Sequence, residues 1–235
     1  MKSVLDKSKK LFLFDIDYTL VKGVTAHRYA LIGSLKKVYG LDINVDPIDY
    51  LGKTEKEIVT DILRRRGIEE PVIGSKLEEC VSVMSEMYDK FADKYKVEAL
   101  DGVKDLLDEL KKRGIPMGLI TGNSESISRK KLKQTGLDGY FEIGGFDEDG
   151  VKRSDLLRAA IRKAEAKHDA FVNGNIFVFG DTPYDIYAGK EVGTKTVGVA
   201  TSSYSEKQLK DAGADFVFKD LRDTKSVLDI IQPNT

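Results

Sequence analysis

The sequence predicts an α/β protein in which a parallel sheet is covered by helices on both faces and interrupted by a separate helical domain. Two observations carry that prediction. From Asp101 onward short apolar runs alternate with amphipathic ones, and repeated strand–helix units of this kind require a parallel sheet with crossover helices. Between the first apolar run, Lys10-Leu-Phe-Leu-Phe-Asp15, and the others lies a long stretch with helical spacing and almost no β-branched runs. Unstructured connections seldom exceed about 12–15 residues, so that stretch reads as an insertion. The expected division is 1–21 with 100–235 for the sheet domain and 22–99 for the inserted helical domain.

The run from Lys10 to Asp15 is short, aromatic and bounded by charge, the pattern of a strand buried on both faces. Helical spacing holds from about Leu31 to Tyr95. Within it Thr54-Glu-Lys-Glu57 is a capping-box signature that opens the helix IVTDILRRR, closed by Gly67. Pro71 and Gly74 predict a break before a further helix around Leu77 to Tyr95. After Asp101-Gly102, VKDLLDELKKRG is an amphipathic helix stopped by Gly114, and Pro116 to Thr121 is a strand. SESISRKKLKQTG is the next helix, Tyr140 to Gly144 a short strand, and Ser154 to Lys167 a helix. Ile176 to Gly180 is a fully apolar strand, followed by Thr182 as N-cap with Pro183 at the first helical position. Strands at Thr196 to Ala200 and Phe216 to Phe218, a helix opening at Ser205 and a last one near Val227 complete the chain.

Of the 235 residues 41% are hydrophobic and 33% charged, and the formal net charge is -1, a balance that does not favour nucleic acid or anionic membrane as partners. The basic clusters (Lys7, Lys9 and Lys10; Arg64 to Arg66; Arg129 to Lys133) read as solvated surface, the second suited to the negative end of a helix dipole. Cys80 is the single cysteine, which excludes an intrachain disulfide and a cysteine zinc site. It reads as a half-buried helix residue in a chain suited to a reducing compartment. No apolar run approaches the roughly 18 residues of a membrane span, and MKSVLDKSKK lacks the apolar segment of a signal peptide. A cytoplasmic monomer or small homo-oligomer is expected.

Four segments carry candidate chemistry. Asp15-Ile-Asp17 ends the first strand with two carboxylates whose period-two spacing sets them on one side of the chain, where they repel unless a cation or proton intervenes. Gly118-Leu-Ile-Thr-Gly-Asn123 ends the second strand in a hydroxyl and an amide at a helix start, a ready anion site or an ordinary cap. Val151-Lys-Arg-Ser154 sets two cations ahead of a helix, against the usual dipole preference; a solvated basic pair fits this segment equally well. Phe177-Val-Phe-Gly-Asp-Thr-Pro-Tyr-Asp185 delivers a carboxylate at a strand end and a second one helical turn later, where it would also suit a helix N-terminus. In doubly wound sheets, ligands bind at the carboxyl edge on which three of these segments lie.

In this order and on these elements, the four segments resemble the motifs of the haloacid dehalogenase superfamily, in particular its phosphoglycolate phosphatase-like and β-phosphoglucomutase-like branches with an α-helical cap. The resemblance spans Asp15 to Asp185. It implies a Rossmann-like core with strand order 5-4-1-2-3, which would set the strands ending at Asp15, Thr121 and Asp181 side by side. It further implies Asp15 as nucleophile and Asp17 as general acid and base. Mg²⁺ would be held by Asp15, the Asp17 carbonyl and Asp181, with Asp185 supporting it directly or from behind. Thr121, Gly122 and Asn123 would hold the phosphoryl oxygens, and Lys152 or Arg153 would steady the transferring charge. His27, Lys53 and Thr54 are candidate substrate contacts from the cap, for which the surface alternative stays open.

The reaction implied is hydrolysis of a small phosphorylated metabolite, a phosphoglycolate-like compound or a sugar phosphate, through an aspartyl-phosphate. A phosphomutase shares the same core residues. A phosphonatase would need an amine, for which Lys22, Lys36, Lys37 and Lys53 are available, and a catalytically silent ligand-binding relative is a third alternative. Two departures stand out. The third motif reads Lys152-Arg153-Ser154 where many relatives have lysine before proline, and Tyr18 stands where many have glycine.

Overall fold

The structure is a computed structural model that describes residues 8–44 and 50–230. The expectation for the amino-terminal stretch through Lys7 lies outside the described residues.

β1 (Leu11–Phe14) is buried on both faces because its side chains alternate between two hydrophobic layers. Phe12 and Phe14 face one layer with Phe177 and Phe179, and the Phe14 and Phe179 rings stack with centroids 4.6 Å apart. Leu11 and Leu13 face the other with Ile176 and Val178. Parallel pairing sets β1 between β4 (Met117–Ile120) and β6 (Ile176–Gly180), with Phe12 opposite both Met117 and Phe177. β5 (Ile143–Gly145) extends the sheet beyond β4, while β7 (Lys195–Val199) and β8 (Phe216–Phe218) extend it beyond β6. The strand order is β5-β4-β1-β6-β7-β8. This is the expected five-strand order with one more strand, β8, at the edge.

Helices cover both faces. α4 (Val103–Lys112), α5 (Glu125–Thr135) and α9 (Thr224–Asp229) pack Leu106, Leu132 and Val227 into the phenylalanine layer. α6 (Arg153–His168) buries Leu156, Leu157 and Ala160 in the other layer, and α7 (Pro183–Val192) packs beside it. α8 (Glu206–Asp211) is capped by Ser205, as its sequence requires. β5 begins later than the spacing predicts, which set this strand at Tyr140 to Gly144. Asp138–Tyr140 form a 3₁₀ turn, and pairing with β4 starts only at Ile143.

Between β1 and α4 the chain leaves the sheet. β2 (Val21–Lys22) pairs antiparallel with β3 (Glu98–Ala99), so departure and return run side by side. Between them α1 (Thr25–Tyr39), α2 (Glu55–Arg65) and α3 (Glu70–Ala92) enclose their own apolar cluster of Leu35, Val59, Leu63, Met84 and Tyr88.

Three expectations need correction here. α1 begins at Thr25, ahead of the predicted helical spacing, and has no side-chain cap to announce it. α3 begins at Glu70 and runs through Pro71 and Gly74. Proline is tolerated in a first turn, where its missing N–H has no intrahelical partner to lose, and no neighbouring atom crowds Gly74. Cys80 is fully buried rather than half-buried, and burial pushes its thiol up to about 11, so it is no nucleophile. No described helix is long and apolar enough to cross a membrane.

Candidate active site

The carboxyl ends of β1, β4 and β6 converge because the three strands are adjacent, and α1 and α2 close the space above them. The resulting cavity has a volume of about 90 Å³, and Asp15, Asp17, Thr121, Asn123, Arg153 and Asp181 all line it. The four segments that the sequence keeps far apart therefore meet at one place.

Arg153 is the cation of the third segment. It is buried, its Nη2 lies 2.5 Å from Asp15 Oδ1 and 2.6 Å from Asp185 Oδ1, and its Nε donates to the same Asp185 oxygen at 2.9 Å. Lys152 is exposed at the N-cap of α6, its side chain outside the cavity. Asp185 is fully buried with both oxygens engaged, Oδ1 by Arg153 and Oδ2 by the Thr182 N–H and hydroxyl. It thus caps α7 and anchors the arginine rather than facing the cavity. Thr121 Oγ1 accepts from the Asn123 side-chain amide at 3.0 Å, and that amide also donates to Asp17 Oδ2 at 2.8 Å.

Lys131 supports Asp17 from outside the cavity lining. Its Nζ lies 2.6 Å from Asp17 Oδ2 and 3.3 Å from His27 Nδ1, and its side chain has no exposed surface. The expectation that the cluster from Arg129 to Lys133 is solvated is corrected at this residue. The signal was available, since Ile127, Ser128, Lys131 and Leu132 form the buried stripe of α5 at helical spacing. The partner was not visible, because Asp17 lies more than a hundred residues away in sequence.

Electrostatics divide the carboxylates. Burial pushes Asp15 up to about 7, with Arg153 opposing and Asp185 and Asp17 adding to the rise. Burial also holds Asp181 well above the carboxylate range, reinforced by Asp15 and Asp185. Burial would raise Asp17 as well, but the Lys131 ammonium, then His27 and the bonds from Lys131 and Asn123, outweigh it and hold Asp17 below its ordinary value.

A divalent cation suits this arrangement. Asp181 Oδ2 is buried without a hydrogen-bond partner, and the shared burial of Asp15 and Asp181 is the situation that a cation relieves. Among the described residues no three acidic, imidazole or thiol side chains form a metal cluster. Asp15 and Asp181 offer two carboxylates, hard oxygen donors suited to such an ion.

The cap-side candidates separate. His27 lines the cavity and its Nε2 lies 3.0 Å from Glu55 Oε1. Lys53 lines it too, but its Nζ is paired with Asp61 at 2.5 Å, and that bond raises the amine, the wrong direction for attack on a carbonyl. Lys22, Lys36 and Lys37 are paired with Glu98, Asp42 and Glu86 away from the cavity. Thr54 is fully buried and lies outside the cavity lining; its hydroxyl accepts from the Glu57 N–H and caps α2. Gly122 marks the contact between α2 and the sheet loops. A Cβ there would lie 2.2 Å from the Lys53 carbonyl oxygen, and the Gly122 carbonyl accepts from the Glu55 N–H at 2.8 Å.

Asp147 holds the same contact from the other side. It is fully buried, its Oδ1 accepts from the Lys56 N–H at 2.9 Å, and burial pushes its carboxyl up to about 7. Because the folded state keeps a proton that the unfolded state has lost, this group costs stability as pH rises from about 4 to about 7. Asp147→Asn keeps an acceptor for Lys56 without the charge. Its melting temperature is expected to rise relative to wild type between pH 5 and pH 8. A difference that stays constant with pH would remove Asp147 from that balance.

The chain is similar to known proteins over most of its length. Residues 12–199 match the haloacid dehalogenase-like hydrolases. Pyrophosphatase PpaX of Bacillus mycoides (strain KBAB4) is 25% identical over 220 residues, covering 92% of this chain and 95% of the relative. A hydrolase from Pseudomonas syringae superposes with a TM-score of 0.75 at 23% identity, covering 96% of this chain and 100% of that one. CbbY from Rhodobacter sphaeroides, solved with phosphate, gives 0.72 at 18% identity, covering 92% and 96%.

Proposed function

The chain belongs to the haloacid dehalogenase-like hydrolases, and from that premise we propose that it is a Mg²⁺-dependent phosphatase of a small phosphomonoester working through an aspartyl-phosphate on Asp15. The observation that carries this reading is the meeting of Asp15, Asp17, Asp181 and Arg153 in one cavity. Asp15 needs no base to become a nucleophile once ionised. As its oxygen bonds to phosphorus, Arg153 neutralises the charge beside it and keeps Asp15 aligned. Asp17, protonated with substrate bound, would give its proton to the leaving oxygen. Returned to the ionised form that Lys131 favours, it would take a proton from the water that cleaves the aspartyl-phosphate.

Asp15, Asp181 and the Asp17 carbonyl would hold Mg²⁺. Such an ion supplies charge neutralisation and orientation for the phosphoryl oxygens. Thr121 and the loop through Gly122 and Asn123 would bind those oxygens. Helices α1 to α3 would act as a cap, with 1–21 and 100–235 as the core and 22–99 as the inserted domain. Gly23 and Gly102, both with positive φ, lie where such a cap would hinge. A cytoplasmic monomer or small homo-oligomer fits the composition.

The test is phosphate release from phosphoglycolate, hexose phosphates, nucleoside monophosphates, an aryl phosphate and pyrophosphate, with Mg²⁺ or with EDTA. Metal-dependent release is expected from at least one monoester. A folded, Mg²⁺-supplied protein that released phosphate from none would sink the reading.

A further inference from the structure

Resting on the phosphatase reading, we infer that Glu55 selects the substrate and that the leaving group it accepts is a neutral, hydroxyl-bearing one, a polyol or sugar phosphate rather than a second anion. The inference starts from the upper wall of the cavity. Opposite the carboxylates, that wall is largely apolar, with Leu31, Tyr50, Ile58 and Met84 among its residues. Set into it is Glu55, whose side chain is 1% exposed and whose two carboxylate oxygens both lack a properly aligned hydrogen bond. His27 Nε2 lies within 3.0 Å of Oε1 without completing one. Oε2 has no such neighbour, and a buried acceptor left unmet is costly, so its position on a cavity wall marks where a ligand's donor belongs.

Three of the cations around it are already held by carboxylates. Arg153 is held by Asp15 and Asp185, Lys131 by Asp17, and Lys53 by Asp61. The first turn of α2, which could otherwise receive an anion, has its N–H groups satisfied. Glu55 donates to the Gly122 carbonyl, Lys56 to Asp147 and Glu57 to Thr54. Arg28 is the remaining cation on the lining. Its Nη2 donates to Asn44, and its Nε is buried without a partner.

Among the described residues the wall therefore offers an unmet acceptor, Glu55 Oε2, and an unmet donor, Arg28 Nε. A hydroxyl group donates and accepts at once, so a polyhydroxylated leaving group satisfies both, whereas an ammonium cannot accept and a carboxylate or fully ionised phosphate cannot donate to Glu55. A terminal phosphate, as in pyrophosphate, would face Glu55 with like charge.

The experiment compares kcat/KM for glucose 6-phosphate, glycerol 3-phosphate, butyl phosphate, 2-aminoethyl phosphate, phosphoglycolate, pyrophosphate and an aryl phosphate. It uses the wild type, Glu55→Leu and Glu55→Gln. A hydrogen bond to a charged group is worth roughly 10- to 100-fold in selectivity. The wild type is expected to favour the better hydroxylated ester over butyl phosphate by that factor. The ratio should fall towards one in Glu55→Leu, with Glu55→Gln between. Should Glu55→Leu not fold, Glu55→Gln carries the comparison, with a melting curve to show that it does. Preference for phosphoglycolate, pyrophosphate or 2-aminoethyl phosphate overturns the inference, as does a ratio indifferent to Glu55. Those results leave the phosphatase reading standing; no turnover of any ester, the aryl phosphate included, overturns both.

Discussion

Asp15→Asn is expected to lower phosphate release by roughly 10⁴-fold or more while leaving the protein folded. The amide has nearly the shape of the carboxylate but cannot form the aspartyl-phosphate, so the loss falls on the chemical step. Stability should not follow activity downward. Asp15 is buried beside Asp181 and Asp185, and burial with those neighbours pushes its carboxyl up to about 7, so removing its charge relieves repulsion. Arg153 keeps its two bonds to Asp185. Phosphate release and thermal unfolding measured on the same preparation check both halves. Activity above about a tenth of wild type in freshly prepared variant would exclude Asp15 as the nucleophile.

Arg153→Met should be the most destabilising of the substitutions considered. Asp15 and Asp185 would then share a buried site without their cation, and removing one partner of a buried pair costs about 3–5 kcal/mol. Activity should be lost with it. Arg153→Lys restores charge without the fork that reaches both carboxylates, so it should recover part of the stability and less of the rate. Lys152→Ala, by contrast, removes an exposed side chain and should change stability by no more than about 0.5 kcal/mol. Urea unfolding of the three variants decides between the neighbouring cations. Equal effects at 152 and 153 would contradict the placement of Arg153 in the site.

Much of this was legible in the residues, for a definite reason. Strand–helix alternation is a local signal, and a strand buried on both faces has no choice but a continuous apolar run, which is why Leu11 to Phe14 and Ile176 to Gly180 could be located closely. Asp15, Thr121 and Asp181 each follow such a run directly, so their place at the carboxyl edge came with the strands. Where local signals compete, the reading shifted. Pro71 and Gly74 look like a break, yet a proline in the first turn and an uncrowded glycine leave α3 intact.

By itself the sequence determined the α/β class, the inserted helical segment and the four segments that meet at the candidate site, because each is written in the spacing of neighbouring residues. Only the tertiary structure chose Arg153 over Lys152, turned Asp185 towards the arginine, buried Lys131 against Asp17 and set Glu55 in the cavity wall. Helical spacing can set a charged side chain on a buried face, as it does Lys131, but it does not name the partner. That depends on which distant segments pack beside it, and burial then decides which charges need a partner.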